Sequence, residues 1–376
     1  MKINPLKLLE SFGQSVWLDY ISRDLIASGE LRKLINDDGL KGITSNPSIF
    51  EQAIAKSSDY DFDIKKLAIQ GKSPDEIYES ISQHDILRAA DELKQVYEKS
   101  EGRDGYVSLE VNPHLAHDTN GTIEEARRLW TALNRQNVFI KVPATKEGLP
   151  AIQQLITDGI NVNVTLLFGL PRYREVIDAY IAGIEARIEQ GKPVKNISSV
   201  ASFFISRIDT IIDPQDLDYM AMGGEQVHFA TNIRGQVAIS SAKIAYNIYR
   251  EIFESRGFAQ LVEQGARPQR LLWASTGTKN PEYSNIKYIE SLIAPNTIST
   301  MPPDTMDAYR DHGHPSYRLI DHFMKACWIM SELTELGIDI DQVTQKLEDE
   351  GVEKFIVSFD KLLATITGKS LEFLRK

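Results

Sequence analysis

The stretch Ile160-Asn161-Val162-Asn163-Val164-Thr165 alternates without interruption, placing Asn161, Asn163 and Thr165 on one face of an extended chain and Val162 and Val164 on the other. A strand with hydrocarbon on one side and amides on the other does not fit a sandwich core, where the inward face must be apolar. It fits a closed barrel, where the outward face packs on helices and the inner upper end is a polar site.

The rest of the chain repeats that unit. Strand patterns are expected at 15–19, 41–47, 106–111, 138–145, 160–165, 197–202, 271–275 and 296–300, with helical patterns between them. Eight strands alternating with helices predict an α/β fold, a (β/α)8 TIM barrel. No linker, repeat or composition break divides the 376 residues, so one domain is expected. Two parts exceed the minimal barrel: a helical insertion around 50–104 and a helical C-terminal extension around 317–376. Within the insertion, Ser73-Pro74-Asp75-Glu76 offers an N-cap, a proline at the first helical position and a capping-box glutamate. Thr122-Ile123-Glu124-Glu125 reads as a second capping box. The segment from Asp209 to Gly224, rich in Asp, Met and Gly, reads as a long connection, and a single helix is expected from about Asn232 to Glu254.

The site follows from parity. In such barrels chemistry sits at the C-terminal ends of the strands. The polar residues there are Asp19, Thr44, Asn46, Glu110, Lys141, Asn163, Thr165, Ser202, Arg207, Ser275 and Lys279. Unpartnered polar groups cost about 1 to 3 kcal/mol each when buried, so a ring of them is expected to serve one another or a ligand. Lys141 lies in the apolar run Val138-Phe139-Ile140-Lys141-Val142-Pro143. A buried amine loses hydration, which favours the neutral form that attacks a ketone carbonyl to form a Schiff base.

In chain order, Trp17-Leu18-Asp19, Thr44-Ser45-Asn46-Pro47-Ser48, Leu109-Glu110-Val111, Phe139-Ile140-Lys141, Asn161 through Phe168, and Ser202-Phe203-Phe204-Ile205-Ser206-Arg207 resemble the successive signatures of the transaldolase family, in its longer bacterial-type branch. Glu350-Gly351-Val352-Glu353-Lys354-Phe355 resembles that family's C-terminal end. The resemblance implies transfer of a dihydroxyacetone unit from sedoheptulose 7-phosphate to glyceraldehyde 3-phosphate, giving erythrose 4-phosphate and fructose 6-phosphate, with no cofactor. It also implies roles. Lys141 would be the Schiff-base lysine, and Asp19 the acid/base of carbon-carbon cleavage. Glu110 would move protons through a water shared with Thr165. Asn46 and Asn163 would hold the dihydroxyacetone hydroxyls, with Thr44 and Ser202 bordering the pocket. Arg207 would bind phosphate. Lys279 stands where many members carry an arginine before asparagine, and a lysine holds phosphate as a point charge rather than by a bidentate fork. Phe204 stands where related aldolases carry a tyrosine.

Other readings remain open at this stage: a sugar-phosphate aldolase releasing free dihydroxyacetone, or a sugar-phosphate-binding barrel without catalysis. The net charge of −11 with no basic block argues against nucleic acid or an anionic membrane as partner, which leaves sugar phosphates. The single cysteine, Cys327, cannot form an internal disulfide and reads as packing. Residues 1–7 lack a signal-peptide core, so the cytoplasm is the expected compartment. The pairs His114/His117 and His312/His314 lack a full ligand set at a known spacing, and no metal is expected. A monomer or a homodimer is expected.

Overall fold

The expected strands form in a computed structural model that describes residues 4–222 and 226–375. They are β1 Gln14–Asp19, β2 Gly42–Thr44, β3 Tyr106–Glu110, β4 Val138–Pro143, β5 Val162–Leu167, β6 Ser199–Phe204, β7 Arg270–Ala274 and β8 Thr297–Met301. Each pairs in parallel with its sequence neighbours, and β1 pairs with β8, closing an eight-stranded barrel. Parallel neighbours need a crossover, and the helices between strands supply it while covering the outward valines, leucines and isoleucines.

The inside of the barrel is filled from below, which confines open polar space to the top. At the floor, Arg270 Nη2 lies 2.9 Å from Asp104 Oδ1, and Ser15 donates to Asp104 Oδ2 at 2.8 Å. Burial alone would push the Asp104 carboxyl up, but the Arg270 guanidinium and these hydrogen bonds hold it below the usual carboxylate range. Above the ion pair, Tyr106 and Phe139 stack at 4.2 Å between centroids, with Trp17 beside them at 6.4 and 6.1 Å. Gly42 on β2 makes room for the indole: a Cβ there would sit 2.4 Å from the Trp17 ring.

The capping box at Ser73 is present and opens the helix Pro74–Lys99. The segment around 50–104 is helical, as three helices, Pro47–Lys56, Asp61–Ile69 and Pro74–Lys99. Other expectations are corrected. Thr122 is not a cap. The helix begins at Thr119, where Asp118 Oδ1 accepts from Gly121 N at 3.0 Å, and the Thr122 hydroxyl donates back to Leu115 O. The expected connection from Asp209 is instead the helix Ser206–Met222, while the expected loop at Gly223-Gly224 lies outside the described residues. The helix anticipated over 232–254 is two, Gln226–Ile233 and Val237–Phe253. They break at Gly235, whose φ of +67° suits glycine and whose N–H is taken by Asp213 Oδ1 at 2.8 Å. The C-terminal extension ends in a helix of 36 residues, Ile340–Arg375. No described helix is long and apolar enough to cross a membrane.

The Gly42 contact is testable. Gly42→Ala should lower stability by about 1 to 3 kcal/mol through overpacking against Trp17. Gly257→Ala, where the nearest atom is Ser255 Oγ at 3.7 Å, should be close to neutral. Urea midpoints at constant slope measure both; equal midpoints for the two variants would show that the indole yields freely.

Candidate active site

Register brings the strand-end residues together. Glu110 on β3 is opposite Lys141 on β4, Lys141 is opposite Asn163 on β5, and Asp19 on β1 is opposite Thr44 on β2. Lys141 is 4% exposed, although its strand ends at the open face of the barrel. Its Nζ donates to Ser45 O at 3.0 Å and lies 3.5 Å from Glu110 Oε2. Burial pushes the Glu110 carboxyl up to about 7; Lys141 opposes that shift, and Asp19 adds to it.

Asp19 stands on the other side of the lysine. Thr44 Oγ1 donates to Asp19 Oδ1 at 2.7 Å and sits 2.7 Å from Thr300 Oγ1. Burial raises the Asp19 carboxyl above its ordinary range, against the lowering effects of Lys141, the Thr44 hydrogen bond and Lys279. The two acids thus share the lysine but differ in their remaining neighbours, which is how one pocket can give two carboxyls different duties.

On β5 the amide of Asn163 is fixed from both sides: Nδ2 donates to Ser108 Oγ at 3.0 Å and Oδ1 accepts from Ser202 Oγ at 2.7 Å. The Ser202 hydroxyl is therefore engaged in orienting Asn163. Thr165 Oγ1 is buried with no protein partner. Such an atom needs a water or a ligand, because an unpaired buried hydroxyl is costly. Asn161, though on the same face, lies below the site, where its amide donates to Gln136 O and accepts from Ser198 N. Asn46 caps the helix Pro47–Lys56 through Oδ1, which accepts from Ile49 N at 3.1 Å.

Phe204 packs against Phe168 at 5.1 Å between ring centroids. Arg207 sits in the first turn of the helix Ser206–Met222, and Lys279 in the loop after β7. Burial and the charge of Arg207 both depress Lys279, while Asp19 opposes them. Two cations side by side at a helix N-terminus, beyond β6 and β7, make a setting for an anion. Ser275, at φ +52°, turns this loop, and its carbonyl accepts from Ser206 N at 3.2 Å.

Sequence reading missed the roof of the site. The Phe355 ring, on the C-terminal helix, stands 5.8 Å from Lys141 Nζ. A helix more than 200 residues away in sequence gives no local signal of such a contact. Thr300, in contrast, could have been found from its inward parity on β8. The histidines lie elsewhere, His114 beside Asp360 and His117 beside Glu147.

The family model described as Transaldolase/Fructose-6-phosphate aldolase matches residues 16–366. A protein named Transaldolase 2 from a Nostoc species is 46% identical over 374 residues, covering 98% of each chain. The Transaldolase of Mycolicibacterium smegmatis is 45% identical over 371 residues, with 98% of each chain covered. That of Thiobacillus denitrificans is 44% identical over 364 residues, covering 97% of this chain and all of the relative.

The environment of Glu110 has a consequence for stability. Its carboxyl keeps a proton to about pH 7 when folded, against an ordinary value of 4.5. The protonated form therefore contributes stability that is full below pH 4.5 and lost as the pH rises through 7. That loss is at most on the order of 3 kcal/mol. Glu110→Gln, which cannot ionise, should flatten the fall in urea midpoint between pH 5 and pH 8. A variant that falls as steeply as the parent would place the titration elsewhere.

Proposed function

The chain belongs to the transaldolase/fructose-6-phosphate aldolase family and is an enzyme with transaldolase activity; we propose that it carries this activity on a Schiff base at Lys141. The observation that supports this most directly is the buried Lys141 amine 3.5 Å from a carboxyl whose proton affinity is poised near neutrality. A general acid works best when its pKa lies near the working pH.

In the proposed cycle the Lys141 amine adds to the C2 ketone of the donor sugar phosphate. The resulting carbinolamine loses its hydroxyl as water, with Glu110 supplying the proton through a water that also bonds Thr165 Oγ1. Asp19 then takes the proton of the C4 hydroxyl, the C3–C4 bond breaks and the aldose phosphate leaves. The three remaining carbons stay on Lys141 as an enamine, which attacks the carbonyl of the acceptor aldehyde. The reversed proton transfers release the product ketose. Asn163, held by Ser108 and Ser202, and Asn46, through its amide nitrogen, position the dihydroxyacetone hydroxyls. Thr44 orients Asp19. Arg207 and Lys279 hold the phosphate. Phe204 borders the pocket with a ring that has no hydroxyl to position water, which favours transfer over release of free dihydroxyacetone.

Borohydride with fructose 6-phosphate should attach a three-carbon unit to the peptide containing Lys141, and Lys141→Ala should lose both label and turnover. Asp19→Ala should keep imine formation but lose cleavage, whereas Glu110→Gln should slow the imine itself. Label on another lysine, or equal loss of both steps in both variants, would refute these assignments.

For the phosphate cations, Arg207→Ala should raise KM for phosphorylated donors roughly a hundredfold, the scale of a lost charge-assisted pair worth about 3 kcal/mol. Lys279→Ala should do so more weakly, because an ammonium gives no bidentate fork. Free dihydroxyacetone as donor should be little affected by either change. Steady-state kinetics with both donor types decides this, and an equal effect on both would move the phosphate site elsewhere.

A further inference from the structure

The C-terminal helix Ile340–Arg375, about 54 Å long at 1.5 Å per residue, spans the open end of the barrel. It packs on β5 and the helix Ser206–Met222 on one side, and on the helices Pro47–Lys56, Asp61–Ile69 and Pro74–Lys99 on the other. Polar ties anchor both ends of the span. On the β5 side, Arg172 Nε meets Glu348 Oε2 at 3.2 Å, with both side chains buried. On the other side, Ser358 Oγ bonds Ser48 Oγ at 2.7 Å, Lys361 Nζ reaches Glu51 at 2.8 Å, and Lys369 Nζ reaches Asp61 at 2.6 Å and Ser57 O at 2.9 Å.

Between these anchors the helix comes down onto the site. Gly351 has no side chain to hold it off: a Cβ there would lie 3.0 Å from Leu166 Cδ2, on the residue after Thr165. One turn further on, Phe355 is 8% exposed and its ring lies 5.8 Å from Lys141 Nζ. The buried face of this helix is a stripe that includes Leu347, Val352, Phe355, Phe359, Leu362 and Ile366, and Phe355 is the member of that stripe whose ring stands over the lysine. Four contacts to residues between Ser48 and Asp61 and a buried arginine pair fix the helix on both sides of Phe355, which holds the ring at a set height over the lysine.

The value of a roof there follows from the chemistry proposed above, on which this inference rests. The enamine on Lys141 has two fates. In transfer, its C3 attacks an aldehyde carbonyl, a C–C bond forms and the iminium is restored. In loss, C3 takes a proton from water, a second water adds to C2 of the iminium and the C–N bond breaks, giving free dihydroxyacetone and the lysine amine. Both fates end with one water adding to C2 of an iminium, so they part at C3, where loss needs a proton delivered by water and transfer needs the aldehyde carbonyl. We infer that Phe355 is a specificity-determining residue, whose ring roofs the pocket over Lys141 and keeps water from delivering a proton to C3 of the enamine before the acceptor aldehyde takes it.

Full-length Phe355→Ala and Phe355→Val, the second retaining more of the packing, test this. Fructose 6-phosphate is supplied with and without erythrose 4-phosphate, and free dihydroxyacetone is measured against transferred unit, alongside borohydride labelling of Lys141. The ratio of release to transfer should rise about tenfold in the alanine variant and less in the valine variant, with labelling retained. A helix that only stabilised the fold would lower release and transfer together and leave their ratio unchanged. A ratio within about twofold of the parent in a folded, labelled variant overturns the inference alone. No label at Lys141 in the unsubstituted enzyme overturns the Schiff-base reading and this inference with it.

Discussion

The buried pair Lys141–Glu110 is the constraint around which the upper barrel is built. Two charges removed from water lose more hydration energy than their mutual attraction returns unless further groups satisfy them. Here the Lys141 Nζ donates to the Ser45 carbonyl at 3.0 Å, and burial brings the proton affinity of the Glu110 carboxyl near neutrality. Below it, the Trp17, Tyr106 and Phe139 rings close the barrel, and the Asp104–Arg270 pair closes it again at the floor. Open polar space remains only where the strands end.

Orientation in that space is fixed by neighbours that do not themselves react. Ser108 and Ser202 hold the Asn163 amide from both sides, and Thr44, itself in contact with Thr300, bonds Asp19. Groups held this way need no reorganisation when charge develops. The backbone contributes as well: Leu166 and Ser275 both adopt positive φ where β5 and β7 leave the barrel, and such residues cost of order 1 kcal/mol or more each. They bend the chain directly after Thr165 and directly before the Lys279 loop. Two of the positive-φ non-glycine residues, Leu166 and Ser275, therefore sit at upper strand ends that border the site, while others lie elsewhere in the chain.

The fold was legible because the barrel wall is written in periodicity. A strand such as β5, with Asn163 and Thr165 on one parity and Val162 and Val164 on the other, fits few architectures, and seven similar strands leave one. The same parity found Asp19, Thr44, Glu110, Lys141 and Ser202. What was not legible depended on competition or on distance. Asp118 and Thr122 are both acceptable caps, and only the finished packing gives Asp118 the role. Residues 209–222 look like a connection by composition, yet Asp209 and Asp213 take the N–H groups of Ala238 and Gly235, partners far along the chain that hold the segment helical. Arg270 lies just outside the strand expected at 271–275 and forms the floor through Asp104, which comes from another loop. Phe355 belongs to the same class, since a contact across the barrel mouth has no sequence period.

The two acids illustrate how position converts one chemistry into two. Both are buried, and both feel Lys141. Glu110 has no second cation among the causes of its shift, and Asp19 pushes it further up. Asp19 has Lys279 as a second cation, and Lys279 is in turn held down by Arg207. Burial raises the Asp19 carboxyl, and Lys279 is one of the groups that oppose that rise. A phosphate held by Lys279 and Arg207 cancels part of the Lys279 field, because the anion screens the ammonium from the carboxylate. On the proposed roles, the proton affinity of Asp19 would then rise at the step assigned to it, acceptance of the C4 hydroxyl proton. In the proposed arrangement, the group that recognises the far end of the sugar also strengthens the base at the near end, so binding energy from a non-reacting phosphate is used in carbon-carbon cleavage.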